Sequence, residues 1–226
     1  MKDKYVIAID GPAASGKSTT AKQLAKMLHY VYIDTGAMYR ACGLQTLKQN
    51  ISLDDLDSLA EMLQDINIRI EYAAAGNRIF LDGIDVSERI READITRLAS
   101  EIAIIGIVRD KMVDLQRKMG ENGGVIMDGR DIGTVVFPEA DFKFFMVADV
   151  KTRSLRRWQE AKDKGENLDL AAVEAELCWR DKNDSTRSHS PLRQAKDAIS
   201  IDTSAMSIAE QVAYIYQVIQ EGKKNV

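Results

Sequence analysis

Short apolar runs alternate with longer amphipathic segments along most of the chain. Five of the runs predict buried strands, at residues 5–9, 30–33, 125–128, 142–147 and 198–201. Buried strands that alternate with helices are typical of a parallel sheet covered by helices on both faces. We therefore expect an α/β fold in which ligands bind beyond the carboxyl ends of the strands.

One segment departs from this pattern. Residues 66–72 alternate between apolar and polar side chains, and residues 78–81 follow after a short loop. An alternation with period two predicts an antiparallel hairpin rather than a helix. Asp82-Gly83 predicts a turn into a third short strand at residues 84–86. We expect a small antiparallel insert within the parallel fold.

Polar residues indicate where several helices begin. Thr35 is the predicted N-cap of a helix that runs to about Lys48. Ser52 and Asp55 have the spacing of a capping box ahead of another helix. Further helices are predicted at residues 17–29, 94–119 (with a break near Ile105-Gly106), 151–162, 168–182 and 207–220.

Composition is that of a soluble globular protein of one or two domains, with 226 residues and a formal net charge of −4. Its two cysteines, Cys42 and Cys178, match no metal-ligand spacing, so we expect reduced thiols and a cytoplasmic location. The apolar runs are too short for a signal sequence or a membrane span. Net acidity argues against a nucleic-acid partner, and we expect no membrane partner.

A glycine-rich sequence follows the first predicted strand directly. Strand, Gly-x-x-x-x-Gly-Lys-Ser and helix in this order predict a P-loop, whose N–H groups converge on phosphate. Lys17 is placed to reach the β- and γ-phosphates of a nucleotide, and Ser18 to join a Mg²⁺ shell. A chance glycine turn does not explain a lysine and a hydroxyl at these offsets. The predicted phosphate loop comprises Gly11, Pro12, Ala13, Ala14, Ser15, Gly16, Lys17, Ser18 and Thr19.

Two carboxylates end predicted strands at the same edge of the sheet. Asp128 ends its strand as a Walker-B acid does, and we expect it to lie opposite Ser18 as a Mg²⁺ ligand, directly or through water. Asp34 ends the second strand and is a candidate for the same metal shell. The alternative for each is an ordinary strand-end carboxylate at a turn.

Arginines are concentrated late in the chain. Arg153, Arg156 and Arg157 share one face of a predicted helix. That face is either solvated, with ion pairs to Glu160 or Asp163, or it neutralises charge on a transferred phosphoryl group.

A second stripe combines both charge signs. Arg180, Asp184 and Arg187 lie along one side of the next helix, where they form either intrahelical ion pairs or ligand contacts. Further arginines come from three other segments, at Arg40, Arg109 and Arg130. Because guanidinium groups suit bidentate phosphate contacts, this number of arginines near a P-loop predicts a second, phosphate-bearing substrate.

The longer motifs resemble those of bacterial cytidylate kinases. The similar stretches are Asp-Gly-Pro-Ala-Ala-Ser-Gly-Lys-Ser-Thr (10–19), Asp-Thr-Gly-Ala-Met-Tyr-Arg (34–40), Asp-Gly-Arg-Asp-Ile-Gly-Thr-Val-Val-Phe-Pro (128–138) and Arg-Asp-Lys-Asn-Asp-Ser-Thr-Arg (180–187), the last followed by Pro191-Leu192. The resemblance covers essentially the whole chain, and 128–138 is much more specific than the P-loop. It implies a monomeric enzyme of pyrimidine nucleotide metabolism that uses ATP and Mg²⁺ to phosphorylate CMP or dCMP.

The resemblance also implies an architecture. It is a P-loop NTPase fold with a five-stranded parallel sheet flanked by helices. The implied divisions are a core at 1–34, 87–150 and 190–226, a monophosphate-binding region with the hairpin insert at about 35–86, and a short lid at about 151–187.

Site roles are carried over position by position. Four residues match positions at the CMP phosphate: Thr35, Arg40, Arg130 and Arg187. Three match positions at the cytosine edge: Ser100, Arg109 and Asp131. Two match positions at the sugar: Arg180 and Asp184. The implied catalytic residues are Lys17, Arg130, Arg187 and the lid arginines Arg153, Arg156 and Arg157.

Cytosine recognition by these groups is chemically reasonable. Asp131 can accept a hydrogen bond from the exocyclic amino group, and Arg109 can donate to N3 or O2 of the base. Uracil presents an acceptor where cytosine presents that amino group, so we expect CMP to be strongly preferred over UMP.

Other functions remain as alternatives. The nearest is a small P-loop kinase for a different nucleoside monophosphate or metabolite. A GTPase switch needs a guanine-recognising Asn-Lys-x-Asp, which the sequence lacks. A nucleic-acid-binding module is disfavoured by the net acidity and by the few Phe and Trp residues available for stacking.

Overall fold

The apolar runs form strands and the intervening segments form helices, as their pattern predicts. The computed structural model describes residues 4–73 and 76–224. The strands are β1 (Val6–Asp10), β2 (Val31–Asp34), β3 (Ile68–Ala73), β4 (Gly76–Leu81), β5 (Ile84–Asp85), β6 (Val125–Gly129), β7 (Phe142–Val147) and β8 (Ile199–Asp202). The helices are α1 (Lys17–Leu28), α2 (Thr35–Lys48), α3 (Leu56–Asp65), α4 (Ala93–Ile102), α5 (Gly106–Gly120), α6 (Val150–Asp163), α7 (Leu170–Thr186) and α8 (Ile208–Lys224).

Five strands form one parallel sheet in the order β2-β6-β1-β7-β8. Asp10 at the end of β1 is aligned with Gly129 of β6, and Asp34 at the end of β2 is aligned with Asp128. The carboxyl ends of β1, β2 and β6 therefore lie side by side. The predicted α/β fold with a five-stranded parallel sheet is confirmed.

The predicted antiparallel insert is also present, as the three-stranded sheet β3-β4-β5. Its β4 side chain Asn77 donates a hydrogen bond of 2.8 Å to the backbone carbonyl of Tyr32. Because β2 is an edge strand of the parallel sheet, this contact joins the insert to the same edge that carries Asp34.

Apolar side chains cover both faces of the parallel sheet. On one face Ile33 and Met127 pack in a cluster with Met38 of α2. On the other face Tyr32 and Ile126 pack with residues of α1 and α8. Each fully buried aliphatic side chain contributes about 1.5–3 kcal/mol of transfer free energy. None of the helices in the described residues is both long and apolar enough to cross a membrane.

Two predicted helix starts are wrong by a few residues. Asp34, not Thr35, caps α2, because its carboxylate accepts the N–H of Ala37 at 2.9 Å. Asp55, not Ser52, caps α3 by accepting the N–H of Ser58 at 3.0 Å. In both places a carboxylate takes the capping role that sequence reasoning gave to a hydroxyl.

The predicted break between α4 and α5 is confirmed. Helix α4 ends at Ile102 and α5 begins at Gly106, so one predicted segment is two helices. The remaining predicted ends agree with the structure to within a few residues.

A buried acid organises the turn after β6. Asp10, 4% exposed, accepts the N–H groups of Ile132 at 2.8 Å and Gly133 at 2.7 Å. These donors begin a single π-helical turn at Ile132–Val136, which the apolar pattern did not predict. Burial raises the pKa of Asp10 to about 7, although the two N–H groups and Lys17 oppose that rise.

This raised pKa predicts a pH-dependent contribution to stability. An acid whose pKa is higher in the folded than in the unfolded state binds more protons when folded, so its contribution falls as pH rises between the two pKa values. Between pH 5 and pH 8 the wild type should lose roughly 2 kcal/mol of unfolding free energy relative to Asp10→Asn. Urea unfolding at both pH values measures this difference. The exposed-acid control Asp65→Asn should show no such change, and an equal slope for wild type and Asp10→Asn would contradict the prediction.

Candidate active site

The loop between β1 and α1 requires glycine at both ends. Gly11 has a φ of 149°, and a Cβ there would lie 2.0 Å from the carbonyl oxygen of Met146 in β7. Gly16 has a φ of 94°, and its Cβ would lie 2.7 Å from Oε1 of Gln211 in α8. At Gly11 the backbone angle and the fixed carbonyl both exclude larger residues, and at Gly16 the positive φ disfavours them, which is the steric reason for the P-loop pattern.

Lys17 lies inside this loop. It is 5% exposed, and its Nζ donates to the carbonyl of Pro12 at 2.7 Å. Burial, together with the nearby Arg130, lowers the pKa of Lys17 to about 7. Its Nζ also donates to Ser15 Oγ at 3.5 Å. Both acceptors are neutral, so an incoming phosphate would be a much stronger partner for the buried ammonium group.

Groups distant in sequence support the loop from behind. Thr203 Oγ1 donates to the carbonyl of Ser15 at 2.9 Å, and Gln211 accepts from Thr20 Oγ1 at 2.9 Å. Arg153 Nη1 donates to the carbonyl of Ala13 at 3.2 Å. The segment after β8 and helix α6 therefore fix the loop conformation.

The predicted metal-binding pair is brought together. Ser18 Oγ donates to Oδ2 of Asp128 at 2.6 Å, and Tyr32 donates to Oδ1 of the same carboxylate at 2.8 Å. Burial and the neighbouring Asp34 raise the pKa of Asp128. A hydroxyl and a carboxylate oxygen at the end of a P-loop are hard ligands of the kind that Mg²⁺ prefers.

The carboxylate of Asp34, unlike that of Asp128, caps a helix and pairs with an arginine. Its Oδ1 accepts the N–H of Ala37, and its Oδ2 accepts from Arg40 at 3.1 Å. Although burial opposes it, Arg40 holds the pKa of Asp34 below its usual value. Within residues 4–73 and 76–224, no group of three or more His, Cys, Asp or Glu side chains is arranged to hold a metal ion. The protein oxygens that fit Mg²⁺ best are therefore those of Ser18 and Asp128.

A buried ion pair lies on the other side of the loop. Arg109 of α5 is 2% exposed, and its Nη2 is 2.5 Å from Oδ2 of Asp131. Its Nη1 donates to the carbonyl of Ala103 at 3.0 Å. Arg187 approaches the other carboxylate oxygen of Asp131 at 3.9 Å. The structure thus joins two of the three side chains that the resemblance assigns to the base, Arg109 and Asp131.

Asp184 pairs with two of the predicted arginines and lies near a third, Arg180. Arg130 Nε donates to it at 2.6 Å, and Arg187 Nη1 donates at 3.3 Å. Although burial opposes it, Arg130 holds the pKa of Asp184 below its usual value. Burial and the nearby Arg130 lower the pKa of Arg180 to about 10. Helix α7 ends at Thr186, so Arg187 is its C-cap residue, and the ion pair Asp184–Arg187 joins the last turn of the helix to this cap.

Unpaired donors are concentrated in this region. Among the described residues, the buried side-chain atoms without a hydrogen-bond partner include Nε of Arg40, Arg109 and Arg180, Nη2 of Arg187 and the hydroxyl of Tyr39. Buried polar atoms in folded proteins nearly always have partners. Four guanidinium groups with free N–H donors therefore indicate a site for an anionic, hydrogen-bonding ligand.

The three predicted lid arginines reach three different partners. Arg153 is buried and forms a bidentate pair with Asp181 of α7, at 3.1 and 2.6 Å. Arg156 donates to the carbonyl of Thr203 at 2.5 Å. Arg157 lies 3.3 Å from Glu160, one of the two surface partners considered from the sequence.

Ser100 is the predicted site residue with the least support in the geometry. Its hydroxyl donates to the carbonyl of Thr96 within α4 at 3.4 Å. In the part of the chain that the structure describes, it has no hydrogen bond to Arg109 or Asp131. Thr35 is better placed, because its hydroxyl donates to the backbone carbonyl of Asp128 at 2.7 Å.

Sequence reasoning missed several residues of this region. Asp10 and Tyr39 stand inside the motifs used for the resemblance, where their burial and polarity could have singled them out. Thr203 and Gln211 belong to no recognisable motif, and only the fold brings them behind the loop.

Comparisons with known sequences agree over nearly the full length. A family model described as Cytidylate kinase matches residues 7–221. The cytidylate kinase of Pediococcus pentosaceus is 46% identical, with 99% of each chain covered. The cytidylate kinase of Enterococcus faecalis is 49% identical, with 96% of each chain covered.

Comparisons with solved structures concern the fold alone. An uncharacterised protein from Eubacterium ventriosum superposes with a TM-score of 0.52 and 16% identity, covering 96% of this chain and 99% of that one. TT1252 from Thermus thermophilus superposes with a TM-score of 0.50 and 11% identity, covering 96% of this chain and 97% of that one.

Proposed function

The chain belongs to the cytidylate kinase family, and from that premise we propose that it transfers the γ-phosphoryl group of ATP to CMP or dCMP, releasing ADP and CDP or dCDP. The observation that carries the proposal is the juxtaposition of two anion sites. A P-loop lies on one side. On the other lie Asp131 and Asp184 with three arginines that have unpaired donors, Arg109, Arg180 and Arg187. Arg40, which pairs with Asp34, has a fourth unpaired donor. A switch protein has no need of the second site, and the comparisons give no support to one.

Donor binding follows from the loop geometry. The N–H groups of residues 11–19 and the N-terminus of α1 would surround the ATP phosphates. Lys17 would exchange the carbonyl of Pro12 for a phosphate oxygen. Held there, its charge stabilises the negative charge that the γ-phosphoryl group carries during in-line transfer.

Ser18 and Asp128 would hold Mg²⁺, with the remaining ligands supplied by phosphate oxygens and water. The ion would supply charge neutralisation at the phosphates. Asp34 would contribute through Asp128 or through water, because its carboxylate is held by the ion pair with Arg40 and by the N-terminus of α2.

Acceptor binding would use the arginine cluster, which comprises Arg40, Arg109, Arg130, Arg180 and Arg187. Arg40, Arg130 and Arg187, with the hydroxyl of Thr35, would bind the CMP phosphate, while Arg180 and Asp184 bind the sugar. Arg109 and Asp131 would recognise the cytosine edge, with Ser100 at the same end of the base. The attacking phosphate oxygen is already anionic at neutral pH, so no general base is needed.

Exclusion of water follows from the packing of α7. Val173 and Leu177 pack against Ala13 of the loop, and Arg153 ties α6 and α7 to the same loop. We assign about 151–187 as the lid, about 35–86 as the monophosphate-binding region, and 1–34, 87–150 and 190–226 as the core. Arg153, Arg156 and Arg157 would act from the lid on the transferred group. We also propose a cytoplasmic monomer with no macromolecular partner.

Lys17→Ala should abolish turnover while leaving the fold intact, because no other cation lies within the loop at this position. We expect kcat to fall by at least about a hundredfold. Coupled-enzyme detection of ADP with CMP as acceptor measures the loss, and the far-ultraviolet circular dichroism spectrum checks the fold. Lys48→Ala, at the exposed end of α2, is the matched control. Near-normal turnover would remove Lys17 from the mechanism.

Asp131→Ala should reduce the preference for CMP over UMP, because the acceptor for the cytosine amino group is lost. Diphosphate formation from Mg·ATP is measured with CMP, dCMP, UMP, AMP and GMP as acceptors. We expect the wild type to use CMP and dCMP, and the variant ratio of kcat/KM for CMP over UMP to fall by roughly a hundredfold. An unchanged ratio would show that Asp131 does not recognise the base.

Asp128→Asn should raise the Mg²⁺ concentration needed for half-maximal rate by about tenfold or more, because a neutral amide oxygen is a weaker ligand. Initial rates at fixed ATP across a Mg²⁺ series measure the shift. Asp34→Asn is the companion variant, and the smaller shift should belong to it. The reverse order would move the metal site to β2.

A further inference from the structure

Tyr39 lies in the acceptor site, but none of the roles above uses it. Its side chain is buried, at 9% exposed, and its hydroxyl has no hydrogen-bond partner among the described residues. An unpaired hydroxyl inside a protein is unusual and calls for a partner, such as a water molecule or a group of a bound ligand. The hydroxyl is therefore a candidate for contact with the acceptor nucleotide.

The Tyr39 ring also faces a base-recognising residue. The guanidinium carbon of Arg109 lies 5.3 Å from the ring centroid, within the range of a cation–π contact. Arg109 is otherwise held by the carbonyl of Ala103 and by Asp131, and its Nε has no partner. The ring gives the guanidinium a third contact in addition to the two hydrogen bonds.

Position along α2 places Tyr39 between the two ends of the proposed acceptor. Thr35 and Tyr39 are four residues apart and so share a helix face. Thr35 reaches the carbonyl of Asp128 beside the P-loop, whereas Tyr39 reaches Arg109. Burial raises the pKa of the Tyr39 hydroxyl although Arg109 opposes this, so the group remains a protonated donor.

We propose that Tyr39 is a specificity-determining residue of this site: its ring holds Arg109 in the plane that recognises the pyrimidine, and its hydroxyl donates a hydrogen bond to the bound nucleotide. This inference rests on the proposed function and adds a residue to it. The two parts of the side chain have separable consequences, because phenylalanine keeps the ring and removes only the hydroxyl.

The test compares Tyr39→Phe and Tyr39→Leu in steady-state kinetics with CMP and with UMP at saturating ATP. Tyr39→Leu should lower the ratio of kcat/KM for CMP over UMP by about tenfold, because Arg109 loses its ring contact. Tyr39→Phe should restore that ratio to within about twofold of the wild type, while KM for CMP rises about fivefold with kcat little changed.

Two controls separate this role from a structural one. Tyr216→Leu removes a partly buried ring from α8 in the other apolar cluster and should leave the CMP/UMP ratio unchanged. ATP affinity measured by calorimetry without acceptor should be the same for the wild type and both Tyr39 variants. A Tyr39→Leu enzyme that loses activity equally on CMP and UMP would overturn the proposal.

The remaining outcomes are also decisive. If Tyr39→Leu does not fold, Tyr39→Phe decides, and an unchanged KM for CMP overturns the proposal. If the wild type does not phosphorylate CMP, the proposed function fails and the role of Tyr39 fails with it. Turnover of CMP by the wild type, with unchanged kinetics in both variants, overturns the role of Tyr39 alone.

Discussion

Asp128 is the residue on which the site most depends. Its carboxylate accepts from Ser18 of the P-loop and from Tyr32 of β2, and its backbone carbonyl accepts from Thr35 of α2. One strand end therefore fixes the loop, the edge strand and the helix that carries Tyr39 and Arg40. The parallel register of β1, β6 and β2 makes this possible, because it brings three acids to one edge of the sheet.

Burial of these charged side chains is energetically tolerable only because arginines and aspartates alternate in space. Isolated ions inside a protein are strongly destabilising, whereas paired and hydrogen-bonded ions are not. Asp184 lies between Arg130 and Arg187, and Asp131 lies between Arg109 and Arg187. The alternation holds the arginine cluster together in the absence of substrate and leaves specific N–H donors, rather than whole side chains, available to an anion.

The fold and the loop could be predicted from the sequence, because they depend on local pattern. Strand–glycine loop–helix order and apolar periodicity are visible over a few residues. The N-caps of α2 and α3, Asp34 and Asp55, were not predicted. A carboxylate and a nearby hydroxyl compete to accept the same N–H groups, and the backbone geometry, which the sequence does not show, selects the carboxylate. Thr203 and Gln211 could not be found, because their contacts with the loop span almost the whole chain.

The three lid arginines were grouped by helix spacing and by family resemblance, but the fold gives them different contacts. Their spacing predicted one shared helix face for Arg153, Arg156 and Arg157. In the fold, Arg153 contacts the loop and Asp181, Arg156 contacts Thr203, and Arg157 contacts Glu160. A charge on a shared face need not act at a shared point, because long side chains reach different neighbours. Arg153 is held by Asp181 and by the carbonyl of Ala13 in the loop, whereas Arg156 is held by the carbonyl of Thr203, so each would have to break different contacts to reach a bound phosphate. The three lid arginines are therefore expected to contribute unequally.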